Sequence, residues 1–491
     1  MSNKQLIGNL SYYSYKKLYK KESNMNQPSS TLLGHPKGLF LLFGTEMWER
    51  FSYYGMRAIL VLYLVSTVES GGFGWSNADA LSLYGTFTMA VYLTPVLGGW
   101  IADNILGQRK SIIIGGLLMA AGHFTLGTPQ EWLGDGAESA FYIGLTLLCC
   151  GNGLFKPNIS TLVGDLYEEG DTRRDGAFTI FYMGINIGAF IAPLVIGYVG
   201  EKIDWQLGFV FAGVGMLISV AMQLAMAKRY LGDIGVNPSA HGMSTGTGVS
   251  AKDRPLTQVE RDRVKVIVIM SVISIVFWVG YEQAGGLLNI YAKDFTDRDI
   301  LGWEMPASWL QAVSALFVVA FAPIFAGLWT KLGDKQPSSP KKFAYSLLLV
   351  GVGFLFMVAA TMEQGGDLNV KVSVLYLIIT YLFLVFGELC ISPIGLSLVS
   401  KIAPIKFLSL LMGVWFACSA IANKVAGLVG SMIGEGAEQI NNAFSIFAGL
   451  AVSGFIAGGL VFFMADKLVE WMHGAEDRAT VEHSELDQDP V

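Results

Sequence analysis

The chain has 491 residues, of which 53% are apolar and 12% aromatic, while only 15% are Asp, Glu, Lys or Arg, against about 25% in an average soluble protein. That deficit excludes a soluble globular protein, and a net charge of −6 with four cysteines excludes disorder, nucleic-acid binding through a basic surface, and a secreted disulfide framework. Cys149, Cys150, Cys390 and Cys418 all lie in apolar runs and read as small buried hydrophobes.

A hydrocarbon core of about 30 Å takes roughly 20 apolar residues per helix. The sequence supplies twelve such runs, near 38–66, 80–101, 110–128, 140–163, 177–199, 207–227, 264–291, 309–330, 343–361, 371–400, 407–431 and 443–466. The predicted fold class is therefore all-α and integral to the membrane. Residues 1–36 form a polar, Lys-rich tail without a signal-peptide pattern, so the first span is expected to stay as an anchor, with Met25 as an alternative start. Residues 37–229 hold six spans, 230–262 a Gly-, Ser-, Thr- and charge-rich linker, 263–468 six more, and 469–491 a second tail. Two six-helix bundles joined by one loop is a plan shared by many secondary transporters.

An even number of spans puts both termini on one side. If that side is the cytoplasm, the tails and even-numbered breaks hold 25 of the 33 Lys and Arg, and the opposite loops hold four, Lys202, Lys293, Arg298 and Lys371. Positively charged segments resist translocation, so the expected location is the plasma (inner) membrane with both termini cytoplasmic.

Charge inside hydrocarbon costs about 2.5–3.5 kcal/mol per residue on insertion scales, so intramembrane charges face a protein interior or a water-filled path. Span one carries Glu46, Glu49, Arg50 and Arg57, span four Lys156, span seven Glu282 and span ten Glu388. These are the opening helices of four three-helix units, which suggests that they surround one central path. In span one the polar residues Glu46, Glu49, Arg50, Tyr53, Tyr54 and Arg57 fall on a single helical face. Charges of both signs there can bridge in more than one pattern, or form a static packing network. Lys156 sits beside Pro157 and after Gly151 and Gly153; it either contacts span one or ten or snorkels to the interface. Lys424, near the end of span eleven, is expected to snorkel or pair locally. His123 reads as a packed, hydrogen-bonded side chain, and no metal-ligand cluster or catalytic arrangement is apparent. Cytoplasmic Glu168, Glu169, Asp171, Arg173, Arg174 and Asp175 form either a gate or a solvated charged turn.

At these residues the sequence resembles the proton-coupled oligopeptide transporter (POT/PTR) family of the major facilitator superfamily. Gly99-Trp-Ile-Ala-Asp103-Asn-Ile-Leu-Gly107-Gln-Arg109-Lys110 is similar to the superfamily's cytoplasmic turn, whose acid and bases can hold two helices together. The family's Glu-x-x-Glu-Arg-Phe-x-Tyr-Tyr motif is complete at Glu46 to Tyr54. It is joined by Phe181-Tyr182-x-x-Ile185-Asn186-x-Gly188, by Phe277-Trp278 before Glu282-Gln283, and by Gly387-Glu388 before Ser392-Pro393-x-Gly395.

The resemblance implies the major facilitator fold, twelve transmembrane helices in two six-helix bundles. It implies a symporter, not an enzyme, that imports di- and tripeptides by alternating access, without cofactor or metal, with the proton as coupling ion. Glu46, Glu49, Arg50, Arg57, Lys156 and Glu282 would couple protons. A peptide amino terminus would lie near Glu388 and Asn186 and its carboxylate near Arg50, Lys156 and Tyr54, while Tyr92, Trp278, Trp415 and Ser419 would line side-chain pockets; Tyr53 and Glu282 complete the expected wall. The partners implied are peptides, protons and the lipid bilayer, with no nucleic acid, and function as a monomer.

Two departures from the family stand out. The linker is too short and polar for the two additional helices of many bacterial members. The family's Asn-Pro after Trp-x-Gln is replaced at Trp309-Leu-Gln311-Ala-Val-Ser314-Ala315, so Ser314 offers a hydroxyl where an amide is usual. The competing readings are a carrier of another small solute such as nitrate, a non-transporting peptide receptor, and a membrane enzyme.

Overall fold

The computed structural model describes residues 31–168, 171–238, 256–404 and 407–475; Met25, Glu169, the middle of the linker and the outer parts of the tails lie outside them. Among the described residues, twelve helices have 19 residues or more: α1 Lys37–Val65, α2 Asn77–Ile101, α3 Gln108–Leu126, α4 Ala137–Asp165, α5 Arg174–Ala192, α6 Trp205–Leu231, α7 Gln258–Tyr281, α8 Trp309–Leu332, α9 Ser339–Gln364, α10 Leu375–Ile402, α11 Leu408–Ser431 and α12 Gln439–Trp471. By length and apolarity alone nine qualify as membrane spans, or ten if Gln108–Leu126 and Gln130–Asp165, bent by 92°, count as one. Helix α1 falls short because its own charged residues are too dense. It is nonetheless packed against α5 and α6 in the middle of the first half. The described residues are thus predominantly helical, with the twelve long helices that the resemblance implies.

Small residues set the closest packing. A methyl group at Gly115 of α3 would lie 2.6 Å from the Gly151 carbonyl of α4, so these two helices touch backbone to backbone. The same device recurs between the bundles. A methyl at Gly427 of α11 would come within 2.6 Å of Gly85 Cα on α2.

Three helices are not uniform. Helix α2 continues as a π-helical turn, Ala102–Leu106, and α5 continues through a π-helical Pro193–Gly197 into Tyr198–Lys202. Helix α7, expected as one span to residue 291, stops at Tyr281, passes through a 3-10 turn at Glu282–Gly285 and resumes at Leu287–Phe295. Gly285 sits close against α2, where a methyl would lie 2.0 Å from the Tyr84 hydroxyl. The chain turns at that point to pack against α1 and α2.

Because α1 and α12 both have their outer ends on one side, that side is here called the terminal side and the opposite one the far side. On the terminal side a hairpin pairs Thr31–Leu32 with His35–Pro36. His35 Nδ1 hydrogen-bonds the Tyr167 hydroxyl at 2.8 Å, and Arg173 donates to Gly34 O at 3.0 Å. Arg173 also pairs with Asp171 at 2.7 Å, so this charged turn is tied to the start of α1. In the superfamily-like turn, Gly107 has φ +78° and a methyl there would meet Val236 O at 2.5 Å. Arg109 donates to the Gly232 carbonyl at 2.7 Å. The turn therefore grips the end of α6 through backbone carbonyls.

Candidate functional site

Between the bundles lies a cavity of about 190 Å³ whose wall includes Tyr54, Arg57, Tyr92, Tyr182, Asn186, Trp278, Tyr281, Glu282, Gln311, Ser314 and Glu388. Seven of the residues expected to touch substrate are on this wall: Tyr54, Tyr92, Asn186, Trp278, Glu282, Ser314 and Glu388. Glu388 accepts a hydrogen bond from the Tyr281 hydroxyl at 2.6 Å. The aromatic run Phe277, Trp278 and Tyr281 packs on itself, with Trp278 and Tyr281 ring centroids 5.5 Å apart. This packing fixes the ring that holds the carboxylate. Trp278 Nε1 is buried without a hydrogen-bond partner among the described residues. Asn186 donates back to Tyr182 O at 2.9 Å, which leaves its amide oxygen free of that bond.

The basic residues of the motif stand directly behind the wall. Arg50 pairs with Glu46 at 2.9 Å and with Glu49, all three buried. Its guanidinium carbon lies 5.6 and 6.0 Å from the Tyr53 and Tyr54 ring centroids, and its Nη2 has no hydrogen-bond partner among the described residues. Asn152 of α4 approaches Glu49 at 3.5 Å. Lys156 Nζ stands 4.7 Å over the Tyr92 ring, a cation–π geometry that keeps the half-buried ammonium beside α2. Arg50 and Lys156 thus each stand against a tyrosine of the cavity wall, Tyr54 and Tyr92.

Toward the far side, Arg57 pairs with Glu282 and donates from Nε to the Tyr84 hydroxyl at 2.5 Å. This joins α1, α2 and the bend of α7, and both charged side chains are buried. Asn289 and Gln311 both donate to the Ala58 carbonyl, at 2.8 and 3.3 Å. The far side of the cavity is therefore shut by bonds between the bundles.

Tyr53, Trp415 and Ser419 lie elsewhere than the wall. Tyr53 is buried beside Tyr54, with ring centroids 5.4 Å apart. Trp415 lies flat on Gly395, where a methyl would meet its ring at 2.1 Å, and faces Phe343 at 6.1 Å. Ser419 turns back to the Trp415 carbonyl at 3.4 Å. Lys424, expected to snorkel or pair locally, reaches across the bundle seam to Thr86 at 2.6 Å. His123 is buried and bonded through Nε2 to Ser52 at 2.8 Å, as expected. Cys149, Cys390 and Cys418 are buried, but Cys150 is exposed on the outer surface, where bilayer lipid replaces a protein core.

Sequence reasoning missed Tyr281, Tyr182 and Gln311 as wall residues and Tyr84 as the partner of Arg57. Tyr281 had a signal, since it is four residues after Phe277 and immediately before Glu282. Tyr84 had none, because its role depends on how α2 crosses α7.

The POT family model (PTR2) matches residues 109–245 and 242–446. The chain is 33% identical to the peptide transporter YePEPT of Yersinia enterocolitica, over 94% of this chain and 100% of that one. It is 31% identical to a di-/tripeptide transporter of Lactococcus lactis subsp. cremoris, over 91% and 99%, and 36% identical to the uncharacterized transporter YclF of Bacillus subtilis, over 91% and 97%. Among solved structures, a peptide transporter POT in complex with sulfate aligns with TM-score 0.83 at 34% identity, over 92% of this chain and 99% of that one. A POT family transporter in complex with 5-aminolevulinic acid aligns at 0.81 and 30%, over 90% and 99%. With its family-like charges gathered around one cavity, the family model matched over residues 109–446 and relatives aligned over more than nine-tenths of its length, this chain belongs to the POT family.

Proposed function

We propose that the protein is a proton-coupled symporter that imports di- and tripeptides by alternating access, with its termini in the cytoplasm of the inner membrane and the far side extracellular. The observation that carries this reading is the polarity of the cavity. Glu388, held by Tyr281, stands on its C-terminal-bundle side, and Arg50 and Lys156 stand behind tyrosines on its N-terminal-bundle side. A zwitterion needs an acid at one end and bases at the other. The names of the relatives, peptide and di-/tripeptide transporters, agree with it.

The coupling chemistry requires no bond breaking and no cofactor. A proton on Glu282 removes the negative charge facing Arg57 and releases the guanidinium, which loosens the extracellular closure. A proton on Glu46 or Glu49 does the same for Arg50, which then turns its unpartnered Nη2 to a peptide carboxylate. The membrane potential supplies about 2.3 kcal/mol per charge per 100 mV, so one proton suffices to concentrate a neutral peptide. The chain is expected to act as a monomer. Uptake of labelled dialanine into proteoliposomes, with and without an inward proton gradient, tests this reading; absence of gradient-dependent accumulation overturns it.

A further inference from the structure

A second closure lies at the extracellular ends of α5 and α8, away from the Arg57–Glu282 pair. Helix α8 opens at Trp309, and its preceding residue Ser308 makes no side-chain cap for its own helix. The first backbone N–H groups of a helix have no partner within it. In α8 those of Trp309, Leu310 and Gln311 bond back to Pro306 O, Ala307 O and Ser308 O at 3.2, 3.2 and 3.0 Å. The unpaired donors thus move to the turn just before the helix, and these are met from the other bundle: Glu201 accepts from Ala307 N at 2.8 Å and from Ser308 N at 2.8 Å, and also from the Ser308 hydroxyl. Ser308 is fully buried. It fits because residue 197 is glycine; a methyl there would lie 2.1 Å from Ser308 Oγ. Beside this contact Trp309 Nε1 donates to Leu194 O at 3.0 Å, and Lys202 pairs with Glu304 at 3.3 Å on the rim.

We infer that Glu201 is a positioning residue for transport, a carboxylate of one bundle that binds the turn leading into a helix of the other and so latches the extracellular side shut. A carboxylate at a helix N-terminus is held by both hydrogen bonds and the aligned peptide dipoles. Any outward opening that parts α5 from α8 strips all three donors from Glu201 at once and leaves the Ala307 and Ser308 N–H groups without that partner. Glu201 therefore favours the closed arrangement. It lies on different helices from the Arg57–Glu282 pair, so opening requires both to let go.

This inference rests on the alternating-access reading, and its test separates the two. In a cysteine-less background that retains uptake, spin labels at Glu69 and Leu301, exposed on opposite bundles of the extracellular face, report the width of that side. The outward-open fraction is expected to rise in the order wild type, Glu201→Gln, Glu201→Ala, Glu201→Lys, with a tenfold or greater change in the open-to-closed ratio for Ala. A substrate that binds a scarce state pays for its scarcity in apparent affinity, so the external KM for dialanine is expected to fall in the same order. A merely structural role would not lower KM. Unchanged distances and KM across the series, or a KM that rises in variants of normal size-exclusion profile, would overturn the latch. If wild-type vesicles take up no dialanine, the peptide reading fails while the label distances still decide the latch.

Discussion

The seam between α2 and α11 offers a sharp test of far-side closure. A methyl at Gly427 would lie 2.6 Å from Gly85 Cα and 2.6 Å from Leu81 O, whereas non-bonded carbons rest at about 3.5–4.0 Å. Gly427→Ala therefore forces the bundles apart by about 1 Å at this point. The neighbours are backbone atoms of another helix, so no side chain can swing away. Overpacking of this kind costs about 1–3 kcal/mol, and here the strain falls only on the conformation in which the seam is shut. An equilibrium shift of about 5- to 150-fold toward the outward-open state follows. The assay is the far-side distance between labels on the two bundles, together with proton-driven dialanine uptake. Gly459→Ala, where a methyl meets nothing within 4 Å, is the control. Wild-type distances and uptake in Gly427→Ala would refute the reasoning, because a closed seam would then not require backbone contact.

Other predictions follow from the site and its surroundings. Glu282→Gln is expected to lose proton-driven accumulation and keep counterflow exchange; retained accumulation with loss of counterflow alone would remove Glu282 from the proton path. Tyr281→Phe leaves Glu388 without its 2.6 Å donor, and since a hydrogen bond to a charged group contributes about 1.5–3 kcal/mol, dialanine affinity measured by counterflow is expected to fall about tenfold or more. Hydrogen bonds from Arg173 hold the Asp171 carboxyl down at about 2, from an ordinary 3.8. A depressed carboxylate keeps its contribution at all higher pH and loses it only as pH falls through that low value. Asp171→Asn is therefore expected to leave the pH profile of uptake unchanged over the physiological range, and a displaced profile would assign the turn a part in coupling.

Much of the site was legible because charge in hydrocarbon is rare enough to stand out. Glu46, Glu49, Arg50, Arg57, Lys156, Glu282 and Glu388 are all found around the path between the bundles. The period of α1 placed its polar residues on one face, and that face is the one its partners occupy. Neutral residues carry no such signal. Trp415 and Trp278 are indistinguishable as aromatics in apolar runs, yet one packs on Gly395 and the other lines the cavity. What separates them is the rotation and depth of each helix, which tertiary packing sets. The break in α7 was invisible for the same reason: Gly285 and Gly286 weaken a helix, but the residues packed against it, Arg57 and Tyr84, come from other helices.

That bend gives the protein leverage. The nine residues Leu287–Phe295 beyond it form a stiff arm about 13 Å long at 1.5 Å per residue. A rotation of about 15° at the turn sweeps the tip of such an arm by roughly 3 Å. The Arg57–Glu282 pair sits at the base of this arm, so a small shift at one buried contact corresponds, by geometry alone, to a much larger one at the arm's tip.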